Sequence, residues 1–308
     1  MIRIEHLTKK FDTVCAVNDV SMEIPEGIMY GLLGTNGAGK STLLRLIAGV
    51  LQADTGEIEI EGESCYDNPN CKAWFFYLPD TPYYFPNASM ETMCRFYAKQ
   101  YPEMDENAVA EMAEMLDLDM RQPIWTFSKG MRRQAFLILA LCANTKYLLC
   151  DEVFDGLDPM VTEVMKKLIR EEMKERKFTV LVVSHKLRDL EDICDQIGIL
   201  HKGGLLSSGD MRERARNTHK FQCVVEKEEE WERVKPELAA ELELIRCQKE
   251  GNFVTVIVRL KETTAIEEVE QKMKAWFPCF CGGVPMSLEE IFLSEMEASG
   301  YDIRKVLH

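Results

Sequence analysis

The run "GTNGAGKST", residues 34–42, has the residue types and spacing of a phosphate cradle. Gly34, Gly37 and Gly39 let the backbone wrap without Cβ clashes and aim N–H groups inward, with Thr35, Asn36 and Ala38 between them. Lys40 supplies a cation for the outer phosphates of a nucleotide such as ATP, and the Ser41 hydroxyl, beside Thr42, suits Mg²⁺. The context agrees: "MYGLLG" reads as a short apolar strand, and "STLLRLIAGVL" has the period of a helix whose positive end faces the cradle.

Two further stretches end apolar strands in chemistry. "YLLCDE" (147–152) closes on paired carboxylates: Asp151 is placed to hold Mg²⁺ through its waters, and Glu152 to orient and polarise an attacking water. "VLVVSH" ends at His185, which is placed to touch a terminal phosphate and bridge to Glu152. A third stretch, "FSKGM" (127–131), sets Ser128, Lys129 and Gly130 at the start of an apolar helix and forms a second anion-facing corner. One domain with two phosphate-facing corners needs an explanation.

The elements that must carry these residues follow from periodicity. "IRIEHL", "VNDVSMEI" and "GEIEIEG" alternate as strands, with "PEG" as a turn. From about residue 86 to 142 apolar residues recur at helical spacing, as in "METMCRFYAKQY" and "NAVAEMAEMLDL". "KYLLCDE" and "FTVLVVSH" flank the amphipathic "MVTEVMKKLIREEMKERK". Strand–helix–strand alternation of this kind predicts an α/β fold: a mostly parallel sheet covered on both faces, preceded by antiparallel strands and interrupted by a helical insert. After about residue 214 the strands "KFQCVVE", "LELIRCQ" and "NFVTVIVRL" and helices near 228–241 and 264–276 predict a small α+β domain over 215–308.

Composition narrows the partners. A net charge of −15 over 308 residues argues against a sequence-independent nucleic-acid surface. The opening "MIRIEHLTKKFDTV" lacks the apolar core of a signal peptide, and no apolar run reaches the roughly 20 residues of a membrane helix. Any service to a membrane is expected to pass through another chain. The eleven cysteines, among them Cys142, Cys150 and Cys194, show no metal-ligand spacing and are expected to be reduced thiols.

With these pieces in order, residues 1–210 resemble the ATP-binding subunit of ABC transporters, a P-loop NTPase fold. The resemblance implies that the serine corner closes over the nucleotide of a second subunit, either another copy or a related paralogue, in a head-to-tail dimer. Ser128, Lys129, Gly130 and Met131 would then act across the dimer, and Asp158 of "FDGLDP" would communicate between the two sites. It implies further that Phe11 stacks on adenine, that the insert of about 80–142 meets an integral-membrane permease, and that the subunit sits on the cytoplasmic face through that permease. "MSLEEIF" (286–292) is similar to a tail motif of subunits paired with ABC-2-type permeases, which points to export. Two other classes are open: a nucleotide-sensing regulatory ATPase, and a soluble ABC-type ATPase without a transport role.

The chain departs from the family at Asp80, in "YLPDTPYYFP", where glutamine usually stands as a Mg²⁺ ligand. Aspartate resembles the ATPases of bacitracin-type and lantibiotic-immunity exporters and still offers the metal an oxygen. It also adds a negative charge, which at about 4 Å and an effective dielectric of about 20 is worth about 4 kcal/mol. Lys129, delivered across the dimer, is the expected counter-charge; the alternative has Asp80 facing solvent and Lys129 on the surface.

Overall fold

A computed structural model of the chain describes residues 1–210, 216–260, 264–287, 290–291 and 293–294. It divides into two compact units, Met1–Gly209 and Asp210–His308. The boundary expected at 214/215 falls outside the described residues.

The first unit holds two sheets. Strands β1 (Ile2–Phe11), β2 (Val14–Ile24), β4 (Thr55–Ile60) and β5 (Glu63–Ser64) form an antiparallel sheet in the order β2-β1-β4-β5. The larger sheet runs β10-β9-β3-β8-β7-β6, from β3 (Met29–Leu33), β6 (Phe75–Leu78), β7 (Tyr147–Asp151), β8 (Thr179–Ser184), β9 (Gln196–His201) and β10 (Gly204–Gly209). The five strands from β9 to β6 are parallel, and only β10 runs against its neighbour. Every residue of β3, β7 and β8 is buried, as continuous apolar strands of a doubly covered sheet must be.

Helix α1 (Lys40–Ile47) follows β3 directly and buries Leu43, Leu44, Leu46 and Ile47 between the sheets. The helical insert contains α3 (Met90–Ala98), α4 (Glu106–Met115) and α5 (Lys129–Cys142). Each begins at a residue whose side chain accepts from the first turn: Ser89, Asp105 and Ser128. Such caps are worth about 1 kcal/mol each. Helix α5 is buried without a break from Arg133 to Cys142, so it is a core helix rather than a surface one. Helix α6 (Pro159–Glu175) crosses between β7 and β8, with Asp158 as its cap.

One expectation is corrected here. Cys65 and Cys71 form a disulfide, so not all eleven cysteines are free thiols. The short helix α2 (Pro69–Lys72), capped by Asn68 and opened by Pro69, turns the chain back and leaves the two Cα atoms 5.4 Å apart. Cys142, Cys150 and Cys194 are free and buried, and burial raises all three thiol pKa values.

The second unit runs β11 (Thr218–Val224), α7 (Glu228–Glu241), β12 (Glu243–Glu250), β13 (Phe253–Arg259), α8 (Ile266–Trp276) and β14 (Phe280–Val284). Its antiparallel sheet has the order β12-β13-β11-β14. Trp231, Val234 and Leu238 of α7 and Val269 and Met273 of α8 share a core with Phe221, Cys223, Val254, Val256 and Val258 of the sheet. Of the tail motif, Leu288, Glu289 and Phe292 lie outside the described residues.

Candidate functional site

Parallel strands release their chains at one edge of a sheet, and here that edge collects the chemistry. β3 delivers the glycine-rich loop, β6 leads to Asp80, β7 ends in Asp151 and Glu152, and β8 leads to His185. A cleft of about 260 Å³ opens there, lined by Asn36, Gly37, Gly39, Lys40, Ser41, Thr42, Asp80 and Glu152.

Packing explains two of the loop's glycines. A Cβ on Gly39 would stand 2.0 Å from the carbonyl oxygen of Ala16, and its φ of +100° is itself left-handed. A Cβ on Gly34 would stand 2.4 Å from the carbonyl oxygen of Leu200. Ala38 anchors the loop, its N–H donating to Thr35 (3.1 Å) and its carbonyl accepting from Gly203 (2.9 Å). Lys40 is only 5% exposed, and its Nζ donates to the carbonyls of Gly34 (2.7 Å) and Thr35 (3.1 Å). Burial lowers the Lys40 pKa, while Glu152 and Asp151 act to raise it. A buried ammonium resting on loop carbonyls is poised to exchange them for phosphate oxygens.

The donor set also fits a magnesium ion. Ser41 Oγ donates to Asp151 Oδ1 at 2.9 Å, which places two hard oxygens side by side at the strand end. Burial raises the Asp151 pKa; the Ser41 hydrogen bond opposes this, and the charges of Glu152 and Asp80 add to it. A divalent cation relieves that crowding. Among the described residues no three His, Cys, Asp or Glu side chains form a metal cage of their own.

Glu152 and His185 meet, with His185 Nδ1 2.9 Å from Glu152 Oε2. The other carboxylate oxygen, Oε1, lies 3.9 Å from Lys40 Nζ. Glu152 is held in the left-handed region (φ 52°), which costs a non-glycine residue about 1–3 kcal/mol. Its N–H donates to Val183 (3.0 Å), and its carbonyl accepts from the N–H of Asp155 (3.1 Å) and from Arg133 Nη1.

The serine corner is built as the sequence implies, but Lys129 is engaged elsewhere. Ser128 caps α5, its Oγ accepting from the Met131 N–H at 3.1 Å, which leaves the hydroxyl hydrogen to donate outward. Ser128 and Lys129 are exposed, and Gly130 and Met131 are half-buried. Within the chain Lys129 Nζ binds Asp155 Oδ2 at 2.7 Å, and Asp80 pairs with Arg133 Nη2, so Asp80 already has a cation of its own chain. Lys129 and Arg133 are one helical turn apart, so both face this edge; Arg133, a turn further in, takes Asp80. Lys186 completes the group at 3.0 Å from Asp155 Oδ1, and the hydrogen bonds from Lys129 and Lys186 hold the Asp155 pKa far below the usual carboxylate range.

Asp158 is exposed and caps α6, accepting from the N–H groups of Met160 (3.1 Å) and Val161 (3.0 Å). Phe11 stands 44% exposed on the β1–β2 hairpin, with Lys9 Nζ 5.6 Å from its ring centre; it does not line the cleft itself. Arg133, Asp155 and Lys186 are the residues that motif reading missed. Only the spacing of Asp155, three residues after Glu152, was visible as a signal.

Comparison with known proteins agrees with this fold. Residues 17–155 match the family model described as "ABC transporter". The chain is 28% identical over 296 residues to the ABC transporter ATP-binding protein YtrB of Bacillus subtilis, covering 96% of this chain and 98% of that one. It is 30% identical over 228 residues to the bacitracin transport ATP-binding protein BcrA of Bacillus licheniformis, covering 72% and 74%. A solved ATP-binding subunit of an ABC transporter aligns with a TM-score of 0.63 at 26% identity, over 70% of this chain and 92% of the other. A dimeric bacterial ABC transporter cassette aligns with a TM-score of 0.63 at 20% identity, over 68% and 98%, and shares the fold.

Proposed function

The chain belongs to the family of ABC transporter ATP-binding proteins, and from that premise we propose that it hydrolyses ATP as one half of a nucleotide-clamped dimer that drives an export permease of the ABC-2 type. The observation that carries the reading is the convergence of Lys40, the Ser41–Asp151 pair and the Glu152–His185 pair on one sheet edge. Among the described residues no helix is long and apolar enough to cross a membrane.

Each residue has a definable task. Lys40 leaves the Gly34 and Thr35 carbonyls for the outer phosphates, and the loop's N–H groups cradle the rest. Ser41 and Asp151 would hold Mg²⁺, which supplies positive charge against the phosphate oxygens, while Asp80 is committed to Arg133. Glu152 orients the attacking water and accepts its proton. A carboxylate only accepts hydrogen bonds, so His185 Nδ1 carries the hydrogen in their contact and fixes the rotamer of Glu152. Ser128, exposed at the start of α5, supplies the matching corner to a second copy. Similarity to the bacitracin transport ATP-binding protein BcrA supports a transport role, and the acidic residue at position 80, like that of bacitracin-type exporters, supports export.

Steady-state phosphate release by the chain, alone and reconstituted with its permease in liposomes, tests the reading. Turnover should require Mg²⁺, stop in EDTA and rise with the permease present. ATP binding without phosphate release, even in the reconstituted complex, would favour a nucleotide-sensing role instead.

A further inference from the structure

Arg133 belongs to none of the motifs, yet it touches more of the site than any residue outside them. Its side chain is 5% exposed, at the start of the buried stretch of α5. A guanidinium there needs acceptors for its donors, and both Nη groups find them while Nε, also buried, has no hydrogen-bond partner. Nη1 donates to the Glu152 carbonyl, Nη2 donates to Asp80 Oδ1, and Asp155 Oδ2 lies 3.9 Å from Nη2. These acceptors come from two separate segments: the linker after β6, and the turn that leads from β7 to α6.

We propose that Arg133 is a positioning residue for hydrolysis, which holds the left-handed turn that presents Glu152 and neutralises Asp80 from within the same chain. The proposal rests on the assignment of Glu152 as the water-activating group. Two features require a guanidinium. The carbonyl of Glu152 lies on a strained turn, so an extra donor there fixes where its carboxylate points. Asp80 adds a negative charge to an edge that already holds Asp151 and Glu152, and a cation must balance it. One planar fork meets both demands at once; a lysine ammonium at the same position could balance the charge without bridging both acceptors. The same helix begins at the serine corner, so Ser128 and Arg133 are mounted on one rigid element.

The test uses the full-length chain with Arg133→Gln, Arg133→Lys, and Arg133→Gln combined with Asp80→Asn. Phosphate release is measured against ATP concentration, with melting temperature and binding of a fluorescent ATP analogue in parallel. Arg133→Gln should lower kcat by about 10- to 100-fold while KM and analogue affinity stay within about threefold. Arg133→Lys should fall between it and the parent, because the charge is kept and the bridge is lost. Adding Asp80→Asn should recover at least threefold of the lost turnover, but not all of it, because the Glu152 carbonyl stays unheld. Unchanged kcat in Arg133→Gln, no recovery when Asp80→Asn is added to it, or a fall in affinity and melting temperature equal to the fall in kcat for both Arg133 variants would each overturn the proposal. If Glu152→Gln is inactive while Arg133→Gln behaves as the parent, only this inference fails. Full activity in Glu152→Gln would instead remove the hydrolytic reading beneath it.

Discussion

Glu152→Gln should lower ATP turnover by about 10²–10⁴-fold while leaving ATP affinity within about threefold. Glutamine has the shape of glutamate and can still accept a hydrogen bond from His185 Nδ1, so the left-handed turn and the contact at 2.9 Å survive. What disappears is the group that takes a proton from water. The cradle is untouched, because Lys40 draws its hydrogen bonds from Gly34 and Thr35, and its distance of 3.9 Å to Glu152 Oε1 makes the carboxylate a distant electrostatic neighbour. Stopped turnover with retained binding therefore separates chemistry from recognition. Phosphate release and equilibrium binding of a fluorescent ATP analogue, on the same preparation, measure the two.

Lys40→Ala should do the opposite and remove binding itself. The ammonium is nearly sealed from water, and its charge is already disfavoured by burial. Phosphates restore what burial costs, so the charge-assisted contacts they make with Lys40 are strong. A loss of about 2–3 kcal/mol corresponds to about 30- to 150-fold weaker ATP binding. The free protein should suffer little, since truncation removes a buried charge together with its two carbonyl contacts. Isothermal titration with ATP, alongside thermal melting, checks both halves of this expectation; a melting temperature that collapses would show that Lys40 holds the loop rather than the ligand.

The site was legible where chemistry is local in sequence. A phosphate loop needs its glycines, lysine and serine within nine residues, and strands that end in Asp151–Glu152 or His185 announce a sheet edge by their apolar runs. The parallel sheet followed from the same alternation and the P-loop architecture from the family resemblance, and the fold and its relatives bear them out. What could not be read was set by packing between distant segments. Arg133 reads as an ordinary polar residue after "SKGM" until α5 proves to be buried on all sides. Within the chain Lys129 pairs with Asp155 and Arg133, one turn further along α5, with Asp80, pairings between distant segments that no motif announces. Cys65 and Cys71 pair because a four-residue helix folds the chain between them, and a spacing of six does not reveal that turn. Strand β14 contains Gly282 and Gly283, so its propensity is poor; it forms because β11 presents an edge to pair with.

These residues also explain why one chain carries two anion-facing corners. Ser128 has its hydroxyl hydrogen available and stands exposed, and it is absent from the lining of its own chain's cleft. In the proposed dimer that corner serves a neighbour's nucleotide.

The most direct test is the molar mass of the Glu152→Gln chain by light scattering, with and without saturating Mg²⁺-ATP. The account predicts 35.4 kDa without nucleotide and about twice that with it, the doubling being lost when Ser128→Arg is added. A mass that stays at 35.4 kDa with ATP demonstrably bound would contradict it.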